Sequence, residues 1–199
     1  MAKGGDFEWE VAKKLSLWLT DNKRDDLICR TDSSGGRATK RIKKEKETNK
    51  YLYGDLKYSD DLAKPLFDKW SIECKTGYAS KSKLKNGTKK IVNWDVLDLL
   101  DSKQKTPPFL QMWVQCTIDS CLSKREPILI FRRDQKLICV AITIDYYLEL
   151  CKYFNYPKIS KVEVFIPNIM SPYDKITVVR IEDFLLWINA KSILDLEIK

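Results

Sequence analysis

Ser71-Ile72-Glu73-Cys74-Lys75, with Tyr53-Gly54-Asp55 shortly before it, is the stretch from which the rest of the chain can be read. On a strand, successive side chains alternate faces, so Glu73 and Lys75 point together while Ile72 and Cys74 turn into the core. A neighbouring strand over residues 51–57 would bring Asp55 to the same small volume. Two hard oxygen ligands there suit Mg²⁺, which takes one or two carboxylates plus waters and substrate phosphate. The Cys74 backbone carbonyl can add a further oxygen. A lysine beside the ion can orient, or help deprotonate, an attacking water.

Outward from this pair, the elements alternate in type. Phe7, Val11, Leu15 and Trp18 recur at helical spacing over residues 6–20. A strand follows near 27–31, then the polar tract 32–36, which reads as a mobile loop. Strands at 51–57 and 69–76 carry the proposed site, and a lysine-rich loop covers 77–91. Asn93 can cap a short helix over 94–101, and Pro107-Pro108 opens a longer one to about 122, apolar nearly all round and so expected to be buried. Strands near 127–131 and 136–142, a helix over 145–154, strands near 162–166 and 176–180 and a helix over 182–190 complete the order. This order fits α/β, with a central mixed β-sheet flanked by helices. At 199 residues the chain reads as one domain, 1–199, with basic loops at 32–50 and 77–91 and a C-terminal extension from about 133.

The composition removes several chemistries at once. There is no histidine, so Ser-His, Cys-His and His-metal systems are excluded, and hydrolysis has to run on carboxylates, lysine, tyrosine and a metal. Six cysteines without a C-x-x-C pair and in apolar contexts read as reduced thiols rather than zinc ligands or disulfides. No apolar run approaches the roughly 18–20 residues of a membrane helix, and the N-terminus lacks a signal-peptide core. A cytoplasmic location is expected, with no membrane partner.

Net charge is +8, and it is concentrated. Residues 37–50 hold seven Lys/Arg against two Glu, and residues 81–90 hold five Lys and no acid. Together these segments exceed the charge of the whole chain, so the remainder is slightly acidic. Taken alone, either run has a second reading as a solvated lysine loop. Their position on both sides of the Asp…Glu-x-Lys pair favours contact with a phosphate backbone, through Arg37, Lys40, Arg41, Lys43, Lys44, Lys81, Lys83 and Lys85.

Glu8 projects into the apolar stripe of the first helix, where a carboxylate is costly unless it is paired or binds a metal. The alternative reading is a first-turn carboxylate that serves the helix dipole or closes a capping box. Here a family resemblance enters. Asp55 with Glu73-Cys74-Lys75 resembles the core of the PD-(D/E)xK nuclease superfamily. Lys3-Gly4-Gly5-Asp6-Phe7-Glu8-Trp9-Glu10 looks like the Lys-Gly-x-x-x-Glu-x-Glu opening of archaeal and phage Holliday-junction resolvases within it. Arg30, the Ser33-Ser34-Gly35 loop, Gly54-Asp55 and Pro127-Ile128-Leu129-Ile130-Phe131 follow in the family's order.

The resemblance implies a restriction-endonuclease-like core and DNA recombination chemistry, with Asp55, Glu73, Lys75 and Glu8 as catalytic or metal-holding groups. It implies that Arg30 and Ser34 reach DNA, and that Gln111 or Gln115, on the helix after Glu-x-Lys, lies near substrate. Otherwise both glutamines are ordinary polar surface. The expected activity is Mg²⁺-dependent DNA cleavage, with Mn²⁺ as a substitute ion, on branched DNA. The alternatives are a restriction, nicking or repair-type nuclease of the same superfamily, or a DNA-binding protein without turnover. Symmetric cutting of two strands needs two sites, so a homodimer is expected. The insertion at 37–50, the glycine in place of a proline before Asp55 and the long tail depart from the compact resolvases.

Overall fold

The structure is a computed structural model that describes residues 3–31, 49–77, 80–83, 89–92, 94–166, 169 and 171–196. Helix α1 (Lys3–Leu19) buries Phe7, Val11, Ala12 and Leu15, as its period requires. It closes on two left-handed residues, Asp21 and Asn22, the latter's N–H returning to Leu17 O at 2.7 Å.

Five strands form the central mixed sheet, in the order β3 (Trp70–Thr76), β6 (Glu126–Arg132), β7 (Ile138–Thr143), β9 (Lys175–Arg180), β8 (Lys161–Phe165). Only β3 and β6 run parallel, with Glu73 opposite Leu129. Parallel neighbours need a crossover, and α4 (Pro108–Ser123) is the main helix of the one between β3 and β6. Pro108 sits in its first turn, and Lys124 in the left-handed conformation ends it.

Strand alternation divides the core into two layers. Ile72, Cys74, Ile128, Ile130 and Val140 pack with α1, with α5 (Ile144–Phe154) and with α6 (Ile181–Trp187). Leu129, Phe131, Ala141 and Val178 pack on the other face with Trp94, Phe109 and Trp113. The segment beyond residue 133 is therefore integral to the sheet, since β7, β9 and β8 are three of its five strands.

Several elements differ from the sequence reading. The expected loop at 77–91 contains an antiparallel hairpin, β4 (Ser80–Lys83) with β5 (Lys89–Val92), with Lys81 opposite Ile91. The expected strand at 51–57 shrinks to β2 (Leu56–Tyr58), paired with β1 (Ile28–Arg30). A 3-10 turn, Lys50–Leu52, precedes it, so Asp55 stands just ahead of the strand. Helix α2 (Lys64–Lys69), with a proline in its first turn, fills a stretch with no clear period. The expected helix at 94–101 is reduced to α3 (Asp98–Asp101), and its expected cap, Asn93, lies outside the described residues. The closing helix breaks at Ile188, and Asn189 caps a further one, α7 (Ala190–Asp195).

Helix α4, expected to be buried all round, leaves Ile118 and Leu122 more than half exposed, because only one of its faces meets the sheet. All six cysteines are free. Among the described residues, no helix is long and apolar enough to cross a membrane.

Candidate active site

Gly54 makes the site possible. Its φ of +85° lies in the left-handed region, and a Cβ there would meet Ile72 O at 2.6 Å. Only glycine lets the chain approach β3 this closely. Asp55 N–H then donates to Ile72 O at 2.8 Å, docking the loop on the strand edge that β6 does not use. The Asp55 carboxylate accepts Cys74 N–H at 2.9 Å. On the other side, Thr31 holds the loop through its N–H on Asp55 O and its hydroxyl on Gly54 O, both at 2.9 Å. Since N–H and C=O of one strand residue project together, the Cys74 carbonyl faces the same open edge as the Asp55 carboxylate.

Glu73 is 2% exposed and points to the α4 face. Lys75 projects beside it, forms an ion pair with Glu73 and places Nζ 3.8 Å from Asp55 Oδ2. Burial raises both carboxyl pKa values. Asp55's charge pushes Glu73 further up, and Lys75 opposes the rise at both. Two buried carboxylates share one ammonium, which leaves a negative excess in a low-dielectric place.

That donor set fits a hard divalent cation, with Asp55, Glu73 and the Cys74 carbonyl as oxygens. Among the described residues, no three His, Cys, Asp or Glu converge closely enough to hold a metal together. Water and substrate oxygens would therefore complete the shell.

Glu8 is buried and ion-paired with Arg30. It comes from α1, which packs on the Ile72/Cys74 face, whereas Glu73 occupies the opposite face. Its charge acts on Asp55 and Cys74. Gly5 leaves room for the arginine, since a Cβ there would stand 3.1 Å from a guanidinium nitrogen. The structure thus couples Glu8 to Arg30, beside Asp55.

Gln111 and Gln115 are exposed on α4, and Gln111 Nε2 donates to Thr106 O at 2.6 Å. With Leu110, Val114, Ile118 and Asp119 they line a 350 Å³ groove. Lys81 and Lys83 lie on β4. Ser34, Arg37, Lys40, Arg41, Lys43, Lys44 and Lys85 fall outside the described residues.

Two groups at the site escaped the sequence reading. Asp119, one turn beyond Gln115, has its carboxyl pKa raised by burial, a rise that the nearby Gly54 N–H opposes. Its place in the series 111, 115, 119 was the available signal. Arg125, 6% exposed, donates to the carbonyls of Lys50, Tyr53, Phe67 and Trp70. Nothing in the sequence marks it.

A loop-borne aspartate on the edge of a strand reading Glu-x-Lys, in a mixed sheet flanked by helices, is the arrangement of a PD-(D/E)xK nuclease with a restriction-endonuclease-like fold. The model of the phage putative PDDEXK endonuclease family matches residues 1–195, and the chain belongs to that family. No curated protein matches the chain, and no solved structure does.

Proposed function

We propose that this endonuclease cleaves DNA with Mg²⁺ at the Asp55–Glu73–Lys75 site, and that its preferred substrate is branched DNA cut by a homodimer. One observation carries the site assignment: the Asp55 carboxylate is pinned to Cys74 N–H while Lys75 stands between it and Glu73. When bound, the divalent ion supplies Lewis-acid activation of the phosphate and acidifies a water.

The chain's own groups do the rest. Asp55 and Glu73 hold negative charge at a fixed position on a rigid strand edge. Lys75 balances that charge and is placed to orient the attacking water or to meet charge building on the phosphate. Arg30, aimed by Glu8, binds a neighbouring phosphate. The basic segments at 37–50 and 81–90 track the flanking backbone, so affinity falls steeply with salt. The branched-DNA preference and the dimer rest on the resolvase resemblance and on the need for two sites to cut two strands.

The test compares a four-way junction, linear duplex, single-stranded DNA and supercoiled plasmid, in Mg²⁺ and in Ca²⁺. Asp55→Asn and Glu73→Gln are expected to bind DNA and leave it uncut, and wild-type cleavage by either variant refutes the site. Paired nicks confined to the junction support the resolvase reading. Cutting of plain duplex at a fixed sequence replaces it with a restriction-type activity. Sedimentation with and without junction reads the dimer.

A further inference from the structure

The peptide group between Tyr53 and Gly54 meets a charged side chain at each of its poles. Its carbonyl, Tyr53 O, accepts from the Arg125 guanidinium at 2.9 Å, and its N–H, on Gly54, lies close enough to the Asp119 carboxylate to stabilise its charge. In a trans peptide these two groups point in opposite directions, so a cation and an anion grip one plane from either side. The Arg125 bond is charge-assisted and stronger than a neutral one, and the Asp119 charge favours the same orientation of the plane.

The grip is itself well anchored. Arg125 N–H donates to Ser120 O at 3.1 Å, and the Ser120 hydroxyl donates back to Arg125 O. Its guanidinium also holds Lys50 O at 2.7 Å, Trp70 O at 2.9 Å and Phe67 O at 3.1 Å, so the turn before Asp55 and the start of β3 hang from one side chain. Asp119 and Arg125 both belong to the end of α4 and the residues that lead into β6.

The plane needs this hold because the next residue is glycine. Flipping the 53–54 peptide changes φ of Gly54, and glycine populates either sign of φ almost equally. The ordered position of Asp55, with its carboxylate on Cys74 N–H, requires the +85° form.

We infer that Asp119 and Arg125 are positioning residues that lock the Tyr53–Gly54 peptide plane, and through it fix the separation of the Asp55 and Glu73 carboxylates. The inference rests on the reading of those carboxylates as the reacting site, although the lock itself can be measured without any cleavage.

The experiment compares Asp119→Ala, which removes the acceptor, with Asp119→Asn, which keeps an oxygen facing Gly54 N–H. Backbone amide exchange is followed in the full-length protein with EDTA present. Asp119→Ala is expected to speed exchange at Cys74 and Asp55 about 10–100-fold, the size expected when a charged partner of a buried N–H is removed. The β6 amides of Leu129 and Ile130 stay at wild-type rates, and Asp119→Asn recovers most of the protection.

In Mg²⁺-supported cleavage, Asp119→Ala lowers kcat about 10–100-fold with KM for DNA unchanged, the range seen when groups behind metal ligands are removed. Unchanged Cys74 exchange in Asp119→Ala overturns the lock, as does loss of protection spread equally through β6 and β7. Arg125→Lys provides a second arm, since one ammonium cannot bridge four carbonyls as the fork does. If Arg125→Lys does not fold, the Asp119 pair decides alone. If the wild type cuts nothing, the nuclease reading falls while the exchange data still judge the lock.

Discussion

Replacing Gly54 with alanine tests the close approach on which the candidate site depends. Two costs arise. A residue with a Cβ held at φ +85° carries about 1–3 kcal/mol of backbone strain. The Cβ also starts 2.6 Å from Ile72 O and has to withdraw to an ordinary 3.4 Å, moving the loop by about 0.8 Å. Ile72 O belongs to a paired strand and cannot yield.

For a domain of this size each kcal/mol lowers Tm by about 2–4 °C, so a loss of roughly 2–12 °C is expected from strain alone. The displacement matters more for function, since a misplacement near 1 Å can cost about 100-fold in rate. Gly77→Ala separates the two effects, because Gly77 has φ +81° and nothing within 4 Å of its Cβ position. Thermal melts and single-turnover cleavage at saturating DNA and Mg²⁺ are measured on both variants. Both should lose stability, and only Gly54→Ala should lose about 100-fold in rate. Equal rates in the two, each scaled to the folded fraction, would refute the argument that close approach to Ile72 sets the geometry.

Three further outcomes are expected. The raised pKa values of Asp55 and Glu73 mean that the folded, metal-free chain binds protons more tightly than the unfolded one; this contribution is present below the ordinary carboxylate range and lost as pH rises, so in EDTA the wild-type Tm should fall relative to Glu73→Gln as pH rises above about 4. Lys75→Met leaves two buried carboxylates without their cation, so it should abolish cleavage, keep DNA binding, and destabilise more at pH 8 than at pH 5, where protonation relieves the repulsion; calorimetry at the two pH values reads the difference. Gly5→Ala favours the α1 helix by about 1 kcal/mol but crowds the Arg30 guanidinium, so Tm should hold or rise while DNA affinity in Ca²⁺ falls several-fold, and an unchanged Kd would remove Arg30 from the DNA contact.

Residues whose placement depends on a single element were legible in the sequence. Glu73 and Lys75 share a side because strands alternate, and Glu8 turns inward because α1 has a helical period. Asp55 is marked by its spacing from Glu73, but it stands ahead of a three-residue strand rather than on it, because Gly54 turns the chain against β3 before the pairing with β1 begins. The hairpin at 80–92 was hidden because its lysines mask a β pattern that only Ile91 and Val92 announce. Asp119 had only its place in the series 111, 115, 119 to mark it and Arg125 had nothing, because their importance arises from the α4 crossover, which returns the chain to β3 about fifty residues later. A buried arginine satisfied by carbonyls leaves no mark on local pattern.

The parallel pairing of β3 with β6 also sets an order of events during synthesis. Asp55, Glu73 and Lys75 all leave the ribosome well before Arg125 and the strand that flanks β3. Long-range pairings of this kind form late. A chain broken off between about residues 76 and 125 carries every proposed reacting group, yet lacks Arg125 and the strand that flanks β3. Interrupted translation in that window would therefore yield fragments that cannot cut, and the activity would arrive only after β6 has joined β3.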